Sequence, residues 1–300
     1  MNIAIILTCH NRKEKTITCL ESLKKAISYY CERYANEDGI FFEVFLTDDG
    51  CTDGTAEAVM SLFGSKHLHI IEGDGNLYWA GGMRKAWEEA RNNHSLWDFY
   101  LLLNDDTILL TDCFDQLMET HEYALKHYGK AGIYSGICCD PKDHEKTTYG
   151  GSVWVKKLMA SGRRLSPIGK PQPCDMTNAN ILLVNKGVVD ELGMFHKGYQ
   201  HGIADYDYSI QAKKHGFPVM VTSGYCGMCA NDHGGKEERQ DKILKMSLSE
   251  RKAYYRHPLH SNSDYMTFIR RNAPLRYPFV LLGRFMNVYF PKWYYKMRKP

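Results

Sequence analysis

The first 140 residues alternate strand-sized apolar runs with helix-sized amphipathic ones. No other property of the chain restricts its fold as strongly. Asn2 to Thr8 reads as a strand and Glu14 to Tyr34 as a helix, with Ile17, Leu20, Leu23 and Ile27 near helical spacing. Phe41 to Thr47 is a second strand and Thr55 to Phe63 a helix. His67 to Ile71 is a third strand, Gly82 to Asn92 a helix, and Trp97 to Leu103 a fourth strand. Such alternation predicts an α/β fold with a mainly parallel sheet covered by helices on both faces. Ligands of these sheets bind at the carboxyl ends of the strands.

The residues just beyond each strand end are therefore informative. The four strands run into Thr8-Cys9-His10-Asn11-Arg12, Asp48-Asp49-Gly50-Cys51-Thr52-Asp53-Gly54, Gly73-Asp74-Gly75-Asn76 and Asn104-Asp105-Asp106. Polar, acidic and glycine residues thus gather along one rim, as a ligand site requires, although turns alone also favour them. In LLLNDDTIL, a strand ends on two adjacent carboxylates that repel each other unless something neutralises them. A solvated turn, a metal and an acid/base pair all satisfy that condition. Mg²⁺ suits the pair, because it uses one or two carboxylates with phosphate and water oxygens. Asp48, at a strand end, is placed to accept a hydrogen bond from a nucleobase, while Asp53 or Thr55 caps the next helix.

The rest of the chain is less regular. Residues 140 to 180 read as loops and short strands, punctuated by Pro141, Gly150, Gly151, Pro167, Pro171 and Pro173. Asn180 to Val184 reads as a strand, Lys186 to Leu192 and Asp205 to His215 as helices, and Phe217 to Thr222 as a last strand. From about Ser249 the chain looks helical, broken by Pro258, Pro274, Pro278 and Pro291. The expected division is a main α/β domain over 1–248 and a basic, aromatic helical extension over 249–300.

Several function classes are excluded or disfavoured. Tyr78 stands where a dinucleotide fingerprint beginning at Gly73 needs its third glycine, and no P-loop motif occurs. Cys226-x-x-Cys229-x-x-x-His233 lacks the fourth ligand of a closed zinc site. A net charge of +3 does not argue for nucleic acid. No run reaches membrane-spanning length, the N-terminus does not read as a secretory signal, and ten cysteines are then expected as free thiols in the cytoplasm. Between Tyr265 and Pro300 there are eight Lys or Arg, ten aromatics and no acid. That combination suits an anionic membrane surface, and predicts peripheral attachment.

Taken together, these segments resemble the inverting GT-A glycosyltransferases of family 2, over roughly residues 2 to 235. Asp48 to Thr55 is similar to the family's Asp-Asn-Gly-Ser-x-Asp-Gly-Thr, with Asp49 for Asn and Cys51 for Ser. Asn76 to Gly82 is similar to its Asn-x-Gly-x-x-Gly-Gly loop, with Tyr78 for Gly. Asn104-Asp105-Asp106 resembles its Asp-x-Asp metal motif, with Asn in first place. Ala204-Asp205-Tyr206-Asp207 resembles its Glu-Asp-x-Asp helix start, with Ala204 for Glu.

The resemblance implies a metal-dependent transferase using Mg²⁺ or Mn²⁺. Asp205 is the expected catalytic base, and Asp106 and His233 are the expected metal ligands. Thr8, His10, Arg12, Asp48, Asn76, Trp79 and Asp105 are expected on the nucleotide sugar, and Asn180 and His201 on the acceptor. The loop at Asn76 is most like rhamnosyl- and galactofuranosyltransferases of bacterial surface polysaccharides. That likeness implies dTDP-rhamnose first and a UDP-sugar second, with a glycan or lipid-linked acceptor. A sugar-nucleotide nucleotidyltransferase and a non-catalytic glycan-binding protein are the alternatives.

Overall fold

The computed structural model describes residues 1–34, 41–64, 66–93, 96–156, 161–231, 236–260 and 262–297. The strands are β1 (Asn2–Cys9), β2 (Phe41–Asp48), β3 (Leu68–Glu72), β4 (Phe99–Leu103), β5 (Ile108–Leu109), β6 (Ile133–Asp140), β7 (Asp143–Tyr149), β8 (Gly151–Lys156), β9 (Ser161–Arg164), β10 (Gln172–Pro173), β11 (Met176–Thr177), β12 (Ile181–Asn185) and β13 (Val219–Met228). The helices are α1 (Lys13–Arg33), α2 (Thr55–Phe63), α3 (Tyr78–Asn92), α4 (Cys113–Tyr128), α5 (Lys186–Leu192), α6 (Ala204–Lys214), α7 (Lys236–Lys245), α8 (Leu248–Arg256), α9 (Asn262–Asn272), α10 (Tyr277–Tyr289) and α11 (Pro291–Met297).

One mixed sheet runs in the order β10-β13-β6-β12-β4-β1-β2-β3, with β5 added to β13 and β7 to β6. The β4-β1-β2-β3 half is parallel, as the alternation predicts. β12 inserts antiparallel between β4 and β6. A small second sheet, β11-β8-β9, accounts for the short strands expected in 140–180.

The residues of β1 show why both faces are covered. Ile3, Ile5 and Leu7 enter the core shared with α1, α2 and α4, while Ala4 and Ile6 enter the core of α3, α5 and α6. The two-residue period of the strand divides the apolar set between two layers. Phe268 and Ile269 of α9 are buried in the second core, so the C-terminal helices pack onto the layer of α3, α5 and α6.

Three differences from the expected elements have physical causes. First, α3 begins four residues before Gly82, because the Asp49 carboxylate binds the N–H groups at its start. The helix also needs Gly82 within it. A Cβ there would lie 2.1 Å from Thr8 Oγ1, so only glycine lets α3 approach β1 this closely. Second, β13 continues to Met228 because irregularities between Val221 and Gly227 re-register it on β6 rather than end it. Third, α4 and β6 are additional to the expected elements. Phe114, Leu117 and Ala124 carry a buried helical stripe, and β6 is an almost wholly buried strand. Pro278 does not break the tail, since it sits in the first turn of α10, where its missing N–H costs nothing.

Candidate active site

The loops after β1, β2 and β4 meet the start of α3 and the segment before α6 around one cavity of about 420 Å³. Thr8, His10, Arg12, Trp79, Asp105 and His201 all line it, as does Asp49. These residues come from distant parts of the chain, and the strand ends bring them together. Asp48, Asn76, Asp106, Asn180 and Asp205 are not in its wall, and Asp106 lines a second, smaller cavity with Cys229. His233 falls outside the described residues.

The paired carboxylates find a partner that the local sequence does not reveal. Arg12 lies 3.1 Å from Asp105 and 2.5 Å from Asp106. It thus forms a fork between the two, geometry for which a guanidinium is suited. Asp105 is only 5% exposed, and Thr16 donates a hydrogen bond to it. Even so, burial pushes its pKa to about 6, against the pull of Arg12 and with the repulsion of Asp106. One guanidinium therefore does not fully offset the burial of Asp105. Two adjacent carboxylates are hard oxygen donors that fit a divalent cation.

Asn104 shows what the departure from the acidic motif accomplishes. Its side-chain oxygen accepts the Trp79 indole N–H at 2.8 Å, and the ring packs on Phe195 with centroids 5.4 Å apart. Trp79 therefore both lines the cavity and packs, partly buried, against the core. Asn180 is buried, and its amide donates toward Thr107 Oγ1 and Cys229 Sγ. Its backbone carbonyl accepts from the backbone N–H of Asn104. It braces the turn that carries Asp105 and Asp106. Cys226 and Cys229 are both buried, and Cys229 donates to Asp106 at 3.7 Å.

Asp205 begins α6. Its carboxylate accepts the N–H groups of Ala179 at 3.0 Å and Tyr206 at 2.9 Å. Among the described residues it has no ion-pair partner, and burial pushes its pKa up to about 6. The adjoining Asn180 is bonded to Asn104, which ties Asp205 to the rim that bears Asp105 and Asp106. A carboxylate held in place by backbone groups, with a pKa near neutrality, suits general-base work.

Two neighbouring acids divide labour after β2. Asp48 accepts the Cys51 N–H at 2.7 Å and remains half-buried. Asp49 is buried and accepts from the N–H groups of Gly75, Leu77 and Tyr78, holding the whole loop before α3. Its own carbonyl meets His10 Nδ1 at 2.6 Å. Asn76 is exposed and bonded to Asp74, so it shapes that loop's tip.

The extension supplies residues that sequence reasoning misses. His257 and Leu259 complete the wall of the cavity. Asp264 accepts the N–H groups of Gln200, His201 and Gly202, fixing the segment that leads into α6. Arg271 and Asn272 both bond Asp207 on α6. No local sequence signal marks these long-range partners.

Among the described residues, three that are not glycine take left-handed backbone angles, and all three border this site: Asn11 (φ 49°), Tyr78 (φ 55°) and Ile203 (φ 64°). Such angles cost a bulky residue about 1–2 kcal/mol and cluster where function needs them. Tyr78 keeps its ring between His201 and His257, with centroids 6.3 and 6.1 Å away. Tyr78→Gly and Tyr78→Ala both remove that ring, but only glycine takes the angle freely. The glycine variant is expected to be the more stable by about 1 kcal/mol, with both variants weakened in ligand binding. Paired urea denaturation curves check the order.

Comparison with known proteins fits this geometry. The fold matches a mannosyltransferase of Pyrobaculum calidifontis in complex with GDP-Man and Mn²⁺ at TM-score 0.51 and 13% identity, covering 98% of this chain and 82% of that one. It matches residues 1–349 of TarS from S. aureus at TM-score 0.53 and 11% identity, covering 96% and 79%. It also matches GalNAc-T7, bound to UDP, GalNAc and Mn²⁺, at 0.54 and 11%, covering 90% of this chain and 54% of that one. The architecture is thus that of the GT-A glycosyltransferases. No curated protein sequence matches the chain. The model of "Glycosyl transferase family 2" matches residues 4–170, more than half of the chain, and the chain belongs to that family.

Proposed function

We propose that this family 2 glycosyltransferase moves a sugar from a nucleoside diphosphate donor to an acceptor hydroxyl, with inversion. The observation that carries the proposal is the single cavity shared by Thr8, His10, Arg12, Trp79, Asp105 and His201. Thr8, His10 and Asp48 hold the nucleoside end, and Arg12 supplies positive charge beside the phosphates. Asp106, with Asp105, would hold Mg²⁺ or Mn²⁺, and His233 is the proposed third ligand. When bound, the cation neutralises the diphosphate leaving group. Asp205 removes the proton of the acceptor hydroxyl as that oxygen attacks the anomeric carbon from the face opposite the leaving group. Asp264 positions the His201 segment for the acceptor, and Asn180 keeps the carboxylate turn in place.

The loop from Asn76 to Gly82 supports dTDP-rhamnose as the first donor and a UDP-sugar as the second, with a glycan or lipid-linked acceptor of bacterial polysaccharide synthesis. A panel of nucleotide sugars, each with Mg²⁺ or Mn²⁺, tests this by thermal shift. One donor class is expected to raise the melting temperature in a metal-dependent way, and no shift with any of them rejects the donor assignment.

The extension gives the enzyme a membrane-facing surface in this proposal. Among the described residues no helix is long and apolar enough to cross a membrane. Leu275, Phe279, Leu282, Phe285, Phe290 and Trp293 are nonetheless exposed, at 50% or more. Arg276, Arg284, Lys292 and Lys296 accompany them, with no acid after Asp264. Apolar side chains beside basic ones match an anionic bilayer, where each basic residue adds about 1 kcal/mol. The chain is expected to sediment with phosphatidylserine vesicles and far less with phosphatidylcholine vesicles. Lys292→Glu with Lys296→Glu should release it. Equal sedimentation in all three cases would rule the surface out.

A further inference from the structure

Cys9 and Cys51 have no part in the transfer just described, yet they face each other at the corner where β1 and β2 end. Their sulfurs are 3.8 Å apart. Two thiolates on one tetrahedral Zn²⁺ lie at about this distance, because each Zn–S bond is about 2.3 Å. Asp48 brings a carboxylate oxygen into the same group, and the three ligand atoms lie within 4.8 Å of one another.

The loop around them is already ordered for such a role. Asn11, in its left-handed conformation, directs its backbone N–H to Cys51 Sγ at 3.2 Å. The Asn11 side-chain oxygen accepts from both Thr52 N–H and Thr52 Oγ1. Cys51 N–H fixes one oxygen of Asp48. Cys9 is 3% exposed, while Cys51 is half-buried and opens the group to solvent.

We infer that Cys9, Cys51 and Asp48 form a site for one thiophilic divalent cation, with Zn²⁺ as its natural occupant and water in the fourth position. Binding converts both thiols to thiolates and releases two protons to solvent. The site is chemically distinct from the Asp105–Asp106 pair, whose oxygens favour Mg²⁺ or Mn²⁺. Cys9 lines the cavity beside Thr8 and His10. A cation there would occupy the nucleoside corner and compete with the donor. That consequence rests on the proposed function, whereas the binding of the cation does not.

Co²⁺ is the probe, titrated into the full chain after chelator treatment, with thiolate-to-cobalt charge-transfer absorption as the readout. Wild type is expected to bind one equivalent, and Zn²⁺ to displace it. Cys51→Ser restores the residue of the family pattern and should retain the fold. It is expected to lose about half the absorption and at least tenfold in affinity. An unchanged band and affinity in Cys51→Ser would overturn the site, and so would no band in wild type. Because Cys9 is buried, Cys9→Ser is compared only after its circular dichroism and melting temperature match wild type. In a transfer assay with excess Mg²⁺, micromolar Zn²⁺ should slow wild type and spare Cys51→Ser. A cobalt band without that inhibition keeps the cation site and rejects the competition. A chain that no donor stabilises strikes the proposed function and leaves the cobalt result standing.

Discussion

Asp205→Asn is expected to lower kcat by about 10²–10⁴-fold while leaving donor binding with metal unchanged. The substitution removes the base but keeps an oxygen that can accept the Ala179 or Tyr206 N–H. Wild-type kcat should rise with pH through about 6, where the buried Asp205 loses its proton. Stability should move the opposite way. A carboxyl whose folded pKa is raised binds its proton more tightly in the native state, so its contribution falls as pH rises from about 4 to 6. Asp205→Asn abolishes that part of the slope. Kinetics across pH, with thermal unfolding on the same samples, checks both signs. Near-normal turnover in Asp205→Asn would remove this residue from the mechanism.

Asp49→Ala is expected to cost about 3 kcal/mol or more in stability. It strips a buried carboxylate from the N–H groups of Gly75, Leu77 and Tyr78 and leaves them without their acceptor. A Cβ on Gly73 would lie 2.6 Å from Asp49 Oδ1, so this loop is built tightly around that side chain. Donor binding should fail with it, since the loop carries Tyr78 and Trp79 into the cavity. Asp48→Ala removes one hydrogen bond at a half-buried position and should cost about 1 kcal/mol. Urea denaturation distinguishes the two. Equal, small losses for both would contradict the capping role of Asp49.

The contrast between these neighbours shows where local sequence stops informing. Both acids sit where β2 ends, and both fit the same motif. Which one turns inward depends on the loop that β3 delivers, a contact across more than twenty residues. The same holds for Arg12. A basic residue after β1 is legible as a phosphate contact, but its fork onto Asp105 and Asp106 depends on a turn 94 positions away. Asp264, His257 and Leu259 are still harder to see, because the proline-broken extension carries no periodicity that points back to the cavity.

Features that depend on local period are legible. β1, β2, β3, β4 and α2 lie within two residues of their expected bounds, since alternating burial and helical spacing are written in adjacent residues. The start of α3 is obscured by Gly81 and Gly82, which lower helix propensity, although Gly82 is required for packing on Thr8. Tyr78, a departure from the family pattern, becomes informative only once its backbone angle is known.

The anomeric configuration of the product tests the central claim most directly. The donor that shifts the melting temperature is incubated with acceptor, and the new linkage is read by NMR. A single carboxylate base at Asp205 predicts a product whose anomeric centre is inverted relative to the donor. A product that retains the donor's configuration would contradict the account.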